Sequence, residues 1–197
     1  MRAPAARIGL TMRSAAAKGE TRDAISRDWS AFMAWALPNT GEDAARLADP
    51  FALDALIQTG GDDLGADPLR DATERALLER ALRLRLPVFG VCRGLQFVNA
   101  HLGGTLTSGH EAAHADTRFG CAPGEVIVNS YHGQAVPLDG LAPGLAALAG
   151  SRDGLAEAVF LPGRPLACVQ WHPAERERPF TDLDARLSRD VMGWRST

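Results

Sequence analysis

The chain has 197 residues, 46% of them hydrophobic and 23% charged, which suits one α/β domain spanning 1–197 and excludes a disordered chain. A net charge of −3, a pI of about 5.9 and no block of Lys or Arg argue against nucleic acid or an anionic membrane surface as partner. No apolar run reaches the ~18 residues of a transmembrane helix, and Ile8–Met12 is too short for a signal peptide, so a cytoplasmic protein is expected.

In chain order, 7–11 (RIGLT) reads as a short first strand. Over 22–37, Ile25, Trp29, Phe32, Met33 and Ala36 recur at helical spacing, which predicts a helix ended by Pro38-Asn39. Residues 53–59 (LDALIQT) predict a buried strand that runs into the turn Gly60-Gly61-Asp62-Asp63. Residues 71–85 predict an amphipathic helix, 87–91 (PVFGV) a short apolar strand, and 93–102 the helix after it. Further on, 125–128, 154–160 and 166–171 predict strands. Strands alternating with helices of this length imply crossover units, hence a mostly parallel central sheet with helices on both faces.

Cysteines are few and widely spaced, at positions 92, 121 and 168, so no disulfide framework is expected and a reducing compartment fits. Cys92 stands apart because Gly90-Val91-Cys92-Arg93-Gly94 follows an apolar strand and precedes a helix. This is the spacing of a nucleophile elbow, in which small flanking residues relieve the crowding of a sharp strand-to-helix turn. A helix starting there aims its N-terminal partial charge at the sulfur, the kind of surrounding in which thiolates form. The Arg93 amide is then one oxyanion donor. Cys121 and Cys168 carry no such context and read as small buried hydrophobes.

The wider string Pro87-Val-Phe-Gly-Val-Cys-Arg-Gly-Leu-Gln96, followed by Gly103-Gly104, resembles the class I glutamine amidotransferase family with its flavodoxin-like fold. Within that family the chain is similar to the γ-glutamyl hydrolase branch. Thr59-Gly-Gly-Asp-Asp63 resembles the branch's T-G-G-x-D oxyanion loop. Val128-Asn-Ser-Tyr-His-Gly-Gln134 resembles its V-N-S-x-H-H-Q segment, with Gly133 in place of the second histidine. Val169-Gln-Trp-His-Pro173 resembles its Q-W-H-P. The stretches follow family order from Thr59 to Glu175, most of the chain.

A thiol nucleophile needs an imidazole to manage its proton and a carboxylate to orient that imidazole. His172 ends an apolar strand before Pro173, and the resemblance assigns it the role of base. Where the branch reads H-P-E, this chain reads His172-Pro173-Ala174-Glu175, then Arg176-Glu177. Glu175 is the expected orienter, with Glu177 in reserve. His101 reads as a packing or surface residue. His110 and His114 are spaced i, i+4 but lack a third ligand pattern, so neither a metal nor another cofactor is expected. The resemblance implies a thioester mechanism on the γ-glutamyl amide of a small conjugate, γ-glutamyl-aminobutyrate and γ-glutamyl-CDP-amidate being two such substrates. The oxyanion donors are the backbone N–H groups of Gly61 and Arg93. Gln96, Asn129, Ser130, Tyr131 and His132 are the expected lining of the glutamyl site. Arg70 and Arg93 are candidate contacts to an anionic group, with a solvated surface arginine the simpler reading of Arg70.

Two other functions stay open on the sequence. A glutaminase subunit would hand ammonia to a synthetase, here a separate chain because no second catalytic domain follows the triad region. A binding protein of the same fold would carry no chemistry, and the displaced carboxylate favours it. A homodimer is also compatible with the sequence.

Overall fold

The computed structural model describes residues 6–27, 29, 34–109, 115–119, 125–128 and 131–173. In chain order these form β1 (Ile8–Thr11), β2 (Arg13–Ala17), β3 (Glu20–Ala24), β4 (Trp35–Leu37), α1 (Ala44–Ala48), β5 (Ala55–Gln58), α2 (Pro68–Leu84), β6 (Val88–Val91), α3 (Arg93–His101), β7 (Thr107–Ser108), β8 (Ala115–Phe119), β9 (Glu125–Val128), β10 (Gln134–Ala135), β11 (Ala146–Ser151), β12 (Ala156–Phe160) and β13 (Leu166–Val169). The main sheet has the order β4-β1-β5-β6-β13-β12-β11-β8-β9. It is parallel from β4 to β13 and antiparallel from β13 to β9.

Every residue of β1, β5, β6 and β13 is buried, as continuous apolar runs at the centre of a covered parallel sheet require. Alternate side chains feed two clusters. Leu56, Val88, Leu166 and Cys168 meet Ala76, Leu77 and Ala81 of α2 and Leu95 and Val98 of α3. Ile57, Phe89, Val91, Val169 and Trp171 form the other cluster, joined at its edge by Ile25 and Trp29. Among the described residues α1, α2 and α3 all serve the first cluster, and none of their residues belongs to the second. No helix among the described residues is long and apolar enough to cross a membrane.

Local chemistry sets the ends of α2. Asp67 caps it by accepting from the Leu69 and Arg70 amides at 3.0 and 3.2 Å, and Pro68 occupies the first turn. The helix therefore begins before position 71, where the amphipathic pattern alone starts it. It stops at Arg85, whose φ of 56° is left-handed.

The helix predicted over 22–37 is not formed at either end. Arg22–Ala24 belong to β3, which pairs with β2 through a two-residue turn, and Trp35–Leu37 form β4, paired with β1. Lys18 and Gly19 both have positive φ, at 52° and 79°, the geometry whose twist matches that of a hairpin. Ile25 and Trp29 are apolar because they pack against the second cluster, Trp29 from a 3-10 turn in which its amide donates to Ser26 O. Three-to-four-residue spacing of apolar residues does not distinguish that from a helix face. Phe32 and Met33 lie outside the described residues.

On β12, Glu157 is 1% exposed and its Oε2 has no hydrogen-bond partner among the described residues. Burial, with a smaller contribution from the Asp153 carboxylate, pushes its carboxyl up to about 7. The folded chain therefore holds a proton that the unfolded chain releases near the ordinary glutamate range, so this group lowers stability as pH rises through that interval. Glu157→Gln is expected to remove this dependence. In urea unfolding, wild type should lose about 2–3 kcal/mol relative to the variant between pH 5 and pH 8.

Candidate active site

Cys92 sits between β6 and α3 with φ 53° and ψ −106°, a strained conformation for a residue with a side chain. Its amide donates to Val169 O at 2.8 Å and its carbonyl accepts from the Leu95 amide at 2.9 Å, so the adjacent strand β13 and α3 hold the turn. A Cβ on Gly94 would lie 2.4 Å from Gln58 O, and one on Gly90 would lie 2.7 Å from Cys168 Sγ. The flanking glycines are thus a condition for α3 to start against β5 and β6. Cys168 is fully buried behind this turn, and burial pushes its thiol up to about 12, in keeping with its reading as a packing residue. Cys121 lies outside the described residues.

β5, β6 and β13 are adjacent parallel strands, and the segments leaving their carboxyl ends converge. One point, the position a Cβ on Gly60 would take, lies 2.6 Å from His172 Cε1 and 3.4 Å from both His172 Nδ1 and Cys92 Cβ. The structure therefore brings together the T-G-G, cysteine and Q-W-H-P segments. Gln170 adds a contact that sequence reasoning did not assign: its Nε2 donates toward Cys92 Sγ at 3.6 Å. Tyr131, half exposed, sets its ring edge-on to His172 with centroids 6.1 Å apart.

Gly60 has no positive φ, so alanine fits its backbone. The Cβ would nonetheless collide with the imidazole, which is what must give. Gly60→Ala is expected to keep the fold and displace His172. We expect a loss of about 10²-fold in kcat/KM, the scale of an ångström misplacement, with little change in Tm; steady-state kinetics beside thermal unfolding check both.

Arg70 is not the solvated surface residue that its charge suggested. It is 2% exposed; Nε donates to Glu74 Oε1 at 2.9 Å and Nη2 to the carbonyls of Thr59 and Gly60 at 3.1 and 3.0 Å. Arg93 is buried too, its guanidinium paired with Glu74 and Asp71. Neither arginine is among the residues that line the cleft described below; both are bonded into a network at the Thr59–Gly61 loop, and Arg70 Nη1 is buried with no hydrogen-bond partner among the described residues. The Arg93 amide, first in α3, has no intrahelical acceptor. Gly61 follows Gly60 with φ 145°.

Gln96 is buried and donates through Nε2 to Gln134 O at 2.7 Å, and His132 Nδ1 lies 2.9 Å from the same carbonyl. Gln96 thereby ties the 131–135 segment to α3, whereas the His132 contact lies within that segment. Gly133 lets that segment pass Asp63, whose Oδ2 would be 3.3 Å from a Cβ there. Asn129, Ser130, His110, His114, Glu175 and Glu177 lie outside the described residues.

A cleft of about 210 Å³ opens beside His172, and its lining includes Gly60 and Gly61 together with Arg13, Ile25 and Trp29. The part that these last three residues take in the lining was missed in the sequence. Residues just beyond the carboxyl ends of parallel strands line ligand crevices, and Arg13 follows β1 by two positions, a signal that was present.

The peptidase C26 family profile matches residues 30–120 and 111–174. The glutamine amidotransferase-like protein YvdE of Lactococcus lactis is 32% identical over 157 residues, 61% of this chain and 66% of that protein. The gamma-glutamyl-gamma-aminobutyrate hydrolase PuuD of Escherichia coli is 33% identical over 148 residues, 60% of this chain and 58% of that protein. The chain thus spans less than two thirds of the length of these curated relatives. Among solved structures, a glutamine amidotransferase of Methylobacillus flagellatus superposes with a TM-score of 0.57 at 18% identity, covering 87% of this chain and 71% of that one. A Thermoplasma acidophilum protein described as a GMP synthase component superposes with a TM-score of 0.70 at 17% identity, covering 95% of this chain and 93% of that one. The fold is that of class I glutamine amidotransferase-like α/β proteins.

Proposed function

The chain belongs to the peptidase C26 family, and on that basis we propose that it is a cysteine-dependent hydrolase of the γ-glutamyl amide bond in small γ-glutamyl conjugates. The observation that carries this reading is the convergence of the Cys92 and His172 side chains on one side of Gly60. The relatives named as γ-glutamyl hydrolases and as amidotransferase-like proteins support the bond type.

In this reading the Cys92 thiol gives its proton to His172 as Sγ attacks the γ-carbonyl carbon, and the oxygen takes the negative charge. The Arg93 and Gly61 amides stabilise it, each worth about 10²–10³ in rate. The C–N bond then breaks as His172 passes a proton to the departing nitrogen, leaving a glutamyl thioester on Cys92. A water, deprotonated by His172, attacks the thioester carbonyl; glutamate leaves and the thiol is restored. Gln170, donating toward the sulfur, stabilises its anionic form. Glu175 is assigned the orientation of the imidazole. Orienting carboxylates contribute less than nucleophiles, so the H-P-A-E spacing is compatible with turnover.

The test is glutamate release by the purified chain from a panel of γ-glutamyl amides, with ammonia release from glutamine as the comparison. Turnover of the conjugates by the chain alone supports the hydrolase. Ammonia release that appears only with an added synthetase would replace this reading with that of a glutaminase subunit.

A further inference from the structure

The side-chain amide of Gln170 is only half used. Its Nε2 donates toward Cys92 Sγ at 3.6 Å, while its Oε1 is buried with no hydrogen-bond partner among the described residues. The neighbouring strand carries a second such oxygen. The Gln170 backbone amide donates to Glu157 O at 2.7 Å, one step beyond the β12–β13 register in which Ala158 faces Val169. Glu157 and Gln170 are therefore directly opposite, an arrangement in which side chains leave from one face with Cβ atoms about 5 Å apart. Both residues are 1% exposed, and Glu157 Oε2 also lacks a partner among the described residues. Neither oxygen can donate, and buried acceptors left bare are costly. A single proton on the carboxyl satisfies both.

Resting on the hydrolase reading above, we propose that Glu157 is a positioning residue for the Cys92 thiolate: as a neutral acid its O–H donates to Gln170 Oε1, which fixes the amide with Nε2 on the sulfur. Once ionised, the carboxylate can only accept. The amide then rotates half a turn to give it Nε2 and presents Oε1 to the sulfur, an acceptor against an anion. Burial holds the carboxyl up to about 7, so the donor is in place below that pH and withdrawn above it. Of Arg152 and Asp153 in the turn before β12, Asp153 favours the neutral acid. Cys168 on β13 is itself neutral, its thiol raised to about 12, and β11 brings no titratable side chain. Arg93 on α3 is met by Glu74 and Asp71. His132 and Asp139 are the titratable groups of the segment that pairs with the start of β12 through Val136 O.

The experiment measures the rate at which iodoacetamide alkylates Cys92 from pH 5 to pH 9, read by mass spectrometry at that residue. Glu157→Gln keeps the shape and carries a donor at every pH, so the thiolate retains Nε2 throughout. Wild type and this variant should agree at pH 5–6, and wild type should fall about tenfold below it as pH passes 7, the scale of one hydrogen bond to a charged group. A step caused by His132 would persist in the variant. A wild-type-to-variant ratio that stays constant across the range overturns the proposal. In a Gln170→Leu background the same two chains should coincide at every pH, because the amide that transmits the change is gone. A difference that persists there is direct repulsion between carboxylate and sulfur, and it overturns the proposal too. Alkylation needs no turnover, so the two readings fail separately. If no γ-glutamyl amide is cleaved, the hydrolase reading falls and the pH profile still decides on Glu157.

Discussion

Cys92→Ala is expected to lower kcat/KM on γ-glutamyl amides by about 10⁴-fold or more, with the fold intact. The size follows from what covalent catalysis supplies: without the sulfur no thioester forms, and only binding and the backbone amides remain to act on water. The fold should survive because alanine tolerates the same φ of 53° no worse than cysteine does. The contacts that hold the turn are backbone ones, to Val169 and Leu95. Labelling with an electrophilic glutamine analogue gives an independent check. Wild type should be modified at Cys92 far faster than at Cys168, which is buried with its thiol raised to about 12, and the variant should lose the fast label. Native rates in Cys92→Ala would remove the mechanism and leave the family likeness as one of shape. Gln170 offers a graded version of the same test: Gln170→Leu removes the donor at 3.6 Å from Sγ and should slow alkylation while keeping Cys92 in place.

The parts of this site legible in the sequence are those imposed by one turn or one strand end. The elbow is readable because the chain passes from β6 to α3 through Cys92 with no room for side chains at Gly90 and Gly94, and that leaves glycines at fixed offsets. The central strands are readable because burial on both faces leaves continuous apolar runs such as Val88–Val91. The hairpin over the site was not readable. β2 and β3 are short and largely exposed, their turn uses Lys18 where Asn or Gly is the usual signal, and the apolar residues that follow imitate a helix face. β4 is a three-residue edge strand whose partner β1 lies more than twenty positions earlier, and its pairing comes from tertiary contact alone. Arg70 and Glu74 have the i, i+4 spacing of a helical pair, yet nothing local says that both are buried. Charged residues at that spacing are ordinarily solvated, and the partners that draw them inside, Arg93 and Thr59, come from other elements.

That buried network gives the other large expected effect. Glu74 is fully buried and accepts from Arg70 Nε, from Arg93 Nη1 and, at 3.2 Å, from Thr11 Oγ1. Glu74→Ala would leave two guanidiniums in the interior with a single remaining carboxylate, Asp71, on Arg93. Removing one partner of a buried ion pair costs about 3–5 kcal/mol. In a chain of this size that is a fall in Tm on the order of 10 °C. Arg70 is the sensitive member, because burial already lowers its pKa and Glu74 is the largest influence opposing that. Glu74→Gln keeps the shape and one acceptor oxygen, so it should fold and lose less. It separates stability from function, since Arg70 also grips the carbonyls of Thr59 and Gly60, which position the loop carrying Gly61. If the network only holds α2 to the sheet, Glu74→Gln will lower Tm and leave kcat/KM unchanged well below the transition. If it positions the oxyanion loop, kcat will fall with KM little altered, because the amides it aims are required at the transition state rather than in substrate binding. The geometry favours the second result, as the same guanidinium that reaches Glu74 is the one bonded to the loop.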